Sequence, residues 1–229
     1  MAEMQRLTLQ PRLAAIAALV PLGARLADVG TDHGYLPTAL LQEGRITAAV
    51  ATDIAPGPLN HARRTADTFG VAVDCRLCDG LCGVEPGEVD TVVIAGMGGE
   101  TIAHILENAS WTREETLLLL QPMSRSEVLR PWLVRHGYQI HRERLVEDKG
   151  ILYPILVVTG GHPPPLSPAE IWAGLGKEDS LYPAYAAQRA DRLRRAVEGL
   201  RKSQREEDRQ RLAQWEEALR QLKEQEGTP

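Results

Sequence analysis

Three acidic residues follow three consecutive segments that are predicted to be β-strands. Asp28 comes at the end of the first segment, Asp53 at the end of the second and Asp79 just after the third. Because parallel strands end at a common edge of a sheet, we expect these side chains to share one ligand-binding crevice. An acid at position 53 can accept both hydroxyls of a ribose, and one at position 79 can accept a hydrogen bond from an adenine amino group. The spacing predicts a nucleoside-containing ligand, although an Asp-Gly pair at 79–80 is by itself as often only a turn.

The turn after the first strand distinguishes between two classes of nucleoside cofactor. A dinucleotide site has the pattern Gly-x-Gly-x-x-Gly, whose glycines let backbone amides approach a pyrophosphate. Here Gly30 and Gly34 bracket the turn, and Asp32 occupies the middle position. Carboxylates at 28 and 32 would repel a pyrophosphate but suit the ammonium and sulfonium cations of S-adenosylmethionine (SAM). A turn that binds no ligand is one alternative, and a dinucleotide oxidoreductase, disfavoured by Asp32, is another.

We therefore predict SAM as the cofactor. The predicted cofactor-binding residues are Asp28, Gly30, Thr31, His33, Gly34, Asp53, Asp79, Gly80, Ala95, Gly96 and Met97. No metal is predicted. The cysteines at 75, 78 and 82 have no fourth cysteine and no histidine nearby, so buried inert thiols are favoured over a metal or iron–sulfur site.

A second group of glycines, in the string Gly96-Met97-Gly98-Gly99-Glu100, follows the fourth predicted strand. Glycines let a backbone approach something bulky, here the cofactor and a methyl acceptor together; a flexible turn before a helix is the alternative. The string Gln121-Pro122-Met123 follows the fifth strand and would form the opposite wall of the pocket. The predicted acceptor-binding residues are thus Gly98, Gly99, Gln121, Pro122 and Met123. The Asn/Asp-Pro-Pro-aromatic motif of enzymes that methylate exocyclic amines is missing here, which argues against that chemistry.

Alternating strands and helices must position these residues. Strands are predicted at 25–29, 47–52, 71–76, 90–95 and 116–121, and helices at 9–20, 38–41, 58–70, 101–107 and 126–136. Two further strands, 138–146 and 151–158, form a closing hairpin. Five alternations predict an α/β fold, a doubly wound sheet with helices on both faces, into which the hairpin inserts one antiparallel strand.

The character of the chain changes after a segment rich in glycine and proline at 160–165. We predict a cofactor-binding domain at 1–160, a linker at 161–168 and a helical domain at 169–229. Apolar residues there recur every three or four positions, as in a coiled-coil seam: Leu193, Val197, Leu200, Leu212, Trp215, Leu219 and Leu222. Residues 201–211 contain no apolar side chain, so two helices folded back around a polar turn near 202–207 are favoured over one long bent helix.

Composition excludes several classes of protein. The chain has 229 residues, of which 43% are apolar and 25% charged, which predicts a sizeable core rather than disorder. Apolar runs are too short to span a bilayer and no signal pattern occurs near the N-terminus, so we expect a cytoplasmic protein that does not contact membranes. The net charge is −5, so a nucleic acid would need a local basic patch. Residues 189–211 supply one, with nine Lys/Arg against five Asp/Glu.

Several strings of residues together resemble a known family. They are Ala27-Asp28-Val29-Gly30-Thr31-Asp32-His33-Gly34-Tyr35-Leu36-Pro37, Gly96-Met97-Gly98-Gly99-Glu100, Gln121-Pro122-Met123, and Glu147-Asp148 before Ile151-Leu152-Tyr153. In these strings the chain resembles the tRNA (adenine-N1)-methyltransferases of the TrmK type, which modify adenine 22 of tRNA. The resemblance covers nearly the whole chain. It implies a Rossmann-like class I methyltransferase sheet followed by a helical coiled-coil domain.

The resemblance also implies a reaction and a partner. N1 lies on the Watson–Crick edge of adenine, so the base must leave its helix, and its lone pair needs no strong base. The product gains positive charge, which Asp32 or Glu100 could stabilise as catalytic residues. The partner is tRNA, whose backbone would contact Arg189, Arg192, Arg195, Arg201, Lys202 and Arg205, in a monomer or weak homodimer. A SAM-dependent enzyme with another acceptor (small molecule, protein or ribosomal RNA), or a non-catalytic SAM-binding or coiled-coil interaction module, is the alternative.

Overall fold

Strands and helices alternate in the first part of the chain, as the apolar pattern predicts. A computed structural model describes residues 6–203 and 205–226; residue 204 of the predicted turn and the domain limits at 1 and 229 lie outside these ranges. The strands are β1 (Ala24–Val29), β2 (Ile46–Asp53), β3 (Asp74–Leu77), β4 (Thr91–Gly98), β5 (Leu117–Ser124), β6 (Tyr138–Asp148) and β7 (Ile151–Gly160). The helices are α1 (Pro11–Ala17), α2 (Tyr35–Gln42), α3 (Pro56–Phe69), α4 (Gly99–Glu107), α5 (Ser126–Arg135), α6 (Pro168–Ala173), α7 (Tyr182–Leu200) and α8 (Glu206–Glu226), with a 3₁₀ turn at Ser110–Arg113.

The seven strands of the described chain form one sheet in the order β3-β2-β1-β4-β5-β7-β6. Strands β1 to β5 run parallel, and β7 is antiparallel to both β5 and β6. The predicted doubly wound sheet with one antiparallel strand is thereby confirmed. The order of strands reverses at β1, which lies between β2 and β4, so a crevice is expected outside the carboxyl ends of β1 and β4.

Apolar side chains cover both faces of this sheet. On one face, α4 and α5 contribute residues such as Ile102 and Leu129 to a buried cluster. On the other, α1 and α2 contribute Ile16 and Leu40, while α3 packs against α2 and β2. Strand β4 supplies residues to both clusters, as a central parallel strand must. The two layers of helices hold the carboxyl ends of the strands in fixed positions.

Several boundaries differ from the predicted ones by a few residues, among them those of β3, β4 and α1. Strand β3 begins at Asp74 rather than at 71, because Gly70 ends α3 in the left-handed conformation (φ 67°) and the next residues lead back to the sheet. Strand β4 continues to Gly98, with an irregular register beyond Ala95, and α4 starts directly at Gly99. The predicted glycine loop is therefore the end of a strand. Helix α1 ends at Ala17, three residues earlier than predicted.

The C-terminal helices pack on the β6–β7 hairpin. A shared apolar core includes Leu145, Leu152, Trp172, Tyr185, Leu193 and Leu222. Helices α7 and α8 lie against each other and are linked by an ion pair from Arg201 Nη2 to Glu216 Oε1 (2.7 Å), so the chain folds back rather than forming one long helix. Residues 161–167 form neither helix nor strand, and Ser167 and Glu170 cap the start of α6. Within the described residues, each helix is too short or too polar to cross a bilayer.

A buried ion pair lies at the junction between the sheet and these helices. Arg130 of α5 binds Glu143 of β6 in two parallel hydrogen bonds, Nε to Oε1 (2.8 Å) and Nη2 to Oε2 (2.7 Å), and both side chains are almost fully buried. Arg130 also donates to the carbonyl of Ile171 (3.1 Å) and contacts the Tyr185 hydroxyl (3.4 Å). One guanidinium thus connects α5, β6, α6 and α7.

Candidate functional site

The turn after β1 is shaped by its glycines. Gly30 has φ 68°, and the amides of Gly30 and Thr31 donate to the carbonyl of Thr52 at 2.8 and 3.0 Å, which holds the turn over the end of β2. Gly34 has φ 65°, and a Cβ there would lie 2.8 Å from Ala62 Cβ of α3. Gly34 therefore permits close packing of two helices. Gly30 leaves the inner surface of the turn without a side chain.

Asp28 is a buried carboxylate at the end of β1. It is 6% exposed and accepts a hydrogen bond from Thr31 Oγ1 (2.6 Å). Burial raises the pKa of Asp28 to about 6; the Thr31 hydrogen bond opposes this and the charge of Asp53 adds to it. No salt bridge to Asp28 occurs among the described residues, so its charge is stabilised by a hydroxyl alone.

Asp53 and Asp32 lie next to each other at the ends of β2 and β1. Asp53 Oδ1 accepts from the amide of Ala55 (3.0 Å) and Oδ2 from the amide of Asp32 (3.4 Å). Asp53 thus also anchors the entry to α3. Asp32 is exposed and has φ 53°, in the left-handed region that non-glycine residues occupy rarely, and often at functional sites.

The third acid follows at the end of β3. The Gly80 carbonyl accepts from Thr52 Oγ1 (2.8 Å), which brings the exposed Asp79 beside the end of β2. The acids at 28, 53 and 79 therefore lie along one edge of the sheet. Gly80 itself has φ 55° and packs against Ile105 of α4.

A cleft of about 250 Å³ opens at the carboxyl ends of β1 and β4. It is lined by Arg12, Leu13, Asp28, Gly30, Thr31, Asp32, His33, Tyr35, Leu36, Ala95 and Gly96. Seven of the predicted site residues therefore meet in one cavity, whereas Gly34, Asp53, Asp79, Gly80 and Met97 do not line it. Sequence reasoning missed two polar lining residues, Arg12 and Tyr35. The available signal was that Arg12 is a lone cation in the apolar stretch 9–20 just before β1.

The glycines at the end of β4 have three different surroundings. A Cβ on Gly30 would overlap Met97 Cε, so the Met97 side chain lies over the turn of β1. A Cβ on Gly99 would overlap the backbone carbonyl of Arg125, so Gly99 permits packing rather than contact with an acceptor. A Cβ on Gly98 would make only ordinary contacts, with Ser124 Oγ at 3.5 Å and Thr101 Oγ1 at 3.8 Å. Of the two predicted acceptor glycines, only Gly98 would accept a Cβ without overlap, which corrects the interpretation of Gly99.

Gln121, predicted to contact the acceptor, is fully buried. Its Oε1 accepts from Arg12 Nη1 (2.7 Å) and from the amide of Gly96 (3.2 Å). It therefore connects α1, β4 and β5 beneath the cleft, so the prediction of direct contact with an acceptor is corrected. The exposed side chains at this strand end include Met123.

Glu100, predicted as a catalytic candidate, stands in the first turn of α4. Its Oε1 pairs with Arg125 Nη2 (2.9 Å), and both side chains are at least half exposed. Arg125 has φ 60° and precedes α5 directly. Glu100 does not line the cleft, so it is an outer residue whose charge Arg125 balances, whereas Asp32 lines the cleft itself.

A second groove, of about 350 Å³, connects the end of β5 to α7. Its lining includes Pro122, Met123, Tyr153, Arg189, Arg192 and Arg195. Predicted acceptor-binding residues from the two halves of the chain, far apart in sequence, thus lie on one surface. The predicted basic surface continues past this groove to Arg201, Lys202 and Arg205, which are exposed at the end of the helical hairpin.

The arginines of α7 differ in how free they are. Arg189 is 8% exposed, donates to the Trp172 carbonyl (3.0 Å) and pairs with Glu127 at 2.5 Å. Burial acts to raise the pKa of Glu127, but the charge of Arg189 and hydrogen bonds hold it below its usual value. Arg189 is therefore held mainly by contacts within the chain, and its contact with a nucleic acid stays a prediction. Arg192 lies 4.0 Å from Glu127 and is half exposed, and Arg195 is exposed without a salt bridge among the described residues.

The three cysteines lie around β3. Cys75 and Cys78 are partly buried, and burial raises the pKa of both thiols, which keeps them protonated. Cys82 is exposed, so the prediction of a buried thiol is wrong for this residue. Across residues 6–203 and 205–226, no group of three His, Cys, Asp or Glu side chains is arranged to hold a metal ion.

Comparisons with known proteins agree with this geometry. The chain matches the family model of a methyltransferase domain over residues 9–156. It is 38% identical over 162 residues to the tRNA (adenine(22)-N(1))-methyltransferase of Bacillus subtilis (strain 168). The aligned region covers 69% of this chain and 68% of that protein.

Solved structures show the same likeness over nearly the whole chain. The B. subtilis m1A22 tRNA methyltransferase TrmK superposes with a TM-score of 0.83 at 29% identity, over 96% of this chain and 99% of that chain. Streptococcus pneumoniae Sp1610 in complex with S-adenosyl-L-methionine superposes with a TM-score of 0.78 at 33% identity, over 93% and 100%. These likenesses, together with the acidic cleft at the ends of β1 and β4, show that this chain belongs to the family of tRNA (adenine(22)-N(1))-methyltransferases.

Proposed function

We propose that this protein transfers a methyl group from SAM to N1 of an adenine in tRNA, adenine 22 as in its B. subtilis relative. The observation that carries the proposal is the cleft at the ends of β1 and β4, where the buried Asp28 has no salt bridge among the described residues. A ligand that brings cations into this cleft stabilises that charge, and SAM carries both an ammonium and a sulfonium. Because its substrate is tRNA, we propose that the protein works in the cytoplasm.

The residues of the cleft fit SAM part by part. Asp28 and Asp32 face its cationic end, and Gly30 lines the cleft between them without a side chain. Asp53, beside Asp32, accepts hydrogen bonds from the ribose hydroxyls. Asp79 is exposed beside the end of β2, where it accepts from the adenine amino group. When bound, SAM supplies an activated methyl group on sulfur.

The acceptor base enters beside Gly98, whose missing side chain leaves room next to Ser124 and Thr101. N1 is on the Watson–Crick edge, so the base is taken out of its helix. Its lone pair is the nucleophile and no proton has to be removed first, so the protein contributes orientation and exclusion of water. Asp32 at the cleft balances the positive charge that the ring gains, and Glu100 supports it from the outer rim.

The tRNA backbone lies along the groove between β5 and α7 and over the end of the helical hairpin. A chain with a net charge of −5 needs its phosphate contacts gathered in one place. The exposed cations there are Arg192, Arg195, Lys202 and Arg205, with Arg201 shared with Glu216. We propose that residues 1–160 act on the cofactor and residues 169–229 hold the tRNA, with 161–168 joining them.

A transfer assay tests the proposal directly. Labelled SAM is incubated with the protein and an unmodified tRNA transcript that has adenine at position 22, followed by nucleoside mass spectrometry. We expect 1-methyladenosine from this transcript and none from a matched transcript with guanine at position 22. Methylation of another nucleoside, of a protein or of a small molecule would favour an enzyme with another acceptor. SAM binding without transfer would favour a non-catalytic module.

A further inference from the structure

Arg12 is a cation in a cleft that otherwise presents carboxylates. Among the described residues that line the cleft, it alone carries a permanent positive charge, in the same cavity as Asp28 and Asp32. It comes from α1, before the sheet begins, and its side chain is 22% exposed. A largely buried guanidinium has a functional or structural reason to be there, because its burial costs free energy unless its donors are used.

Three elements hold the guanidinium in place. Nη1 donates to Gln121 Oε1 (2.7 Å), which is fixed in turn by the amide of Gly96 (3.2 Å). Nε lies 3.7 Å from Asp148 Oδ2 at the tip of the β6–β7 hairpin, and Asp148 is itself largely buried. A Cβ on Gly96 would be 3.6 Å from Nη1, so the guanidinium lies over the backbone at the end of β4. Such contacts fix the orientation of a planar fork.

The same contacts leave part of the guanidinium unused. Arginine has five N–H donors, and the described residues supply one hydrogen bond to Nη1 and a longer charge contact to Nε. Nη2 has no partner among residues 6–203 and 205–226. An oriented guanidinium with free donors in a cleft is suited to bind a carboxylate.

We infer that Arg12 binds the carboxylate of the methionine part of SAM, and that Gln121 and Asp148 are positioning residues for it. This inference rests on the proposed function, since it names the group that recognises one end of the cofactor. The protein thereby distinguishes the charged groups of the methionine part of SAM. Asp28 and Asp32 face the ammonium and sulfonium, and Arg12 faces the carboxylate. Specificity for SAM over analogues that lack the carboxylate follows from Arg12.

Calorimetry with two ligands tests this inference without any methyl transfer. SAM and decarboxylated SAM differ only in the carboxylate, and each is titrated into the wild-type protein and into Arg12→Met. We expect the wild-type protein to bind SAM about 10–100 times more tightly than the decarboxylated compound, the range for a hydrogen bond between charged groups. In Arg12→Met this preference falls to within about threefold, because SAM binding weakens and binding of the decarboxylated compound does not.

Two further variants make the result specific. Gln121→Glu places a carboxylate beside Arg12. It should also reduce the preference for SAM, because the new carboxylate then neutralises the guanidinium in place of the carboxylate of SAM. Arg25→Met, which removes an arginine paired with Asp90 at the opposite end of β1, should leave the preference as in the wild type. Unfolding midpoints of the free proteins show whether a variant is folded.

The outcomes separate this inference from the function on which it rests. Equal weakening of both ligands in Arg12→Met would overturn the inference and give Arg12 a structural role. Unchanged SAM binding with weaker tRNA binding would overturn it in favour of a phosphate contact. Failure of the wild-type protein to bind either ligand would contradict the proposed function itself.

Discussion

Two buried carboxylates, in two regions of the molecule, are treated differently by the fold. Glu143 at the junction with the C-terminal helices is held by both arms of Arg130 and by the amide of Leu175 (3.3 Å). Asp28 in the cleft is equally buried at the residue level, but among the described residues only the Thr31 hydroxyl donates a hydrogen bond to its side chain. At the junction, the charge of Glu143 is balanced by Arg130 of the same chain. In the cleft, the charge of Asp28 is balanced only when a cationic ligand binds. Completed networks stabilise the fold, whereas an incomplete one recognises a ligand.

Removal of Arg130 should have the largest effect on stability. Arg130→Met leaves Glu143 buried without its partner, and we expect the free energy of unfolding to fall by about 3–5 kcal/mol. Urea unfolding followed by circular dichroism measures the change. Arg25→Met, which breaks the exposed pair with Asp90, is the matched control and should cost at most about 1 kcal/mol.

A second variant distinguishes a lost partner from lost packing at the junction. In the double variant Arg130→Met/Glu143→Leu, no charge remains buried, so most of the lost stability should return. If the double variant is no more stable than Arg130→Met alone, the junction depends on packing and not on its charge balance.

A substitution at Gly98, near the cleft, should reduce methyl transfer without unfolding the protein. Gly98→Val adds a branched side chain next to Ser124 and Thr101, so methyl transfer should fall at least about a hundredfold because the base cannot reach its position. SAM binding, measured by calorimetry, should stay within about threefold of the wild type. Gly57→Val is the control, because a Cβ there meets nothing within 4 Å. Wild-type turnover in Gly98→Val would show that the acceptor binds elsewhere.

Asp28→Asn should affect stability and binding in opposite directions. The folded protein raises the pKa of Asp28 from 3.8 to about 6, so the unfolded chain ionises first and wild-type stability is lost as the pH rises from about 4 to 6. The variant escapes this loss and should be about 1–2 kcal/mol more stable than the wild type at pH 7.5, with little difference at pH 4. Its SAM affinity should fall about 10–100-fold because a charged hydrogen bond is gone.

The control for this prediction is Asp32→Asn in the same turn. Asp32 is exposed, so its neutralisation should weaken SAM binding without a gain in stability. Urea unfolding at several pH values compares the two variants. An Asp28→Asn protein that is less stable than the wild type at every pH would mean that the Thr31 hydrogen bond outweighs the cost of the buried charge.

The smallest effect concerns tRNA affinity. Arg192→Gln/Arg195→Gln removes two exposed cations of the second groove, so the slope of log affinity against log salt should flatten by about 1.4–1.8. Filter binding over a range of salt concentrations measures it. Arg25→Gln/Arg113→Gln changes the net charge equally at the opposite edge of the sheet, and an equal effect there would contradict a localised tRNA surface.

The sequence alone predicted the elements and the position of the cleft. Apolar periodicity is a local signal, and an acid after a buried strand must lie at the carboxyl edge of the sheet, which is why Asp28 and Asp32 line the cleft with Ala95 and Gly96. The hairpin of α7 and α8 followed likewise from the polar stretch at 201–211. These features depend on residues that are close to one another in the sequence.

Other roles depend on contacts between distant segments. A glycine is the same letter whether it admits a ligand or a neighbouring backbone, so the sequence could not distinguish Gly99, which packs against Arg125, from Gly98, where a Cβ would meet no overlap. The burial of Arg189 depends on Glu127, 62 residues earlier in the chain. Arg12 meets Gln121 across 109 residues, and no local pattern encodes such a pair.

The place of β7 in the sheet has a consequence for synthesis on the ribosome. β7 lies between β5 and β6 although it follows both in the chain, so the apolar strand β5 keeps an open edge until residue 160 has emerged. At usual translation rates this takes roughly 2–7 s after β5 is complete. An open apolar edge can pair with strands of other nascent chains. The protein is therefore most prone to aggregate during this interval, and a pause in translation between 124 and 160 would lower the yield of folded enzyme.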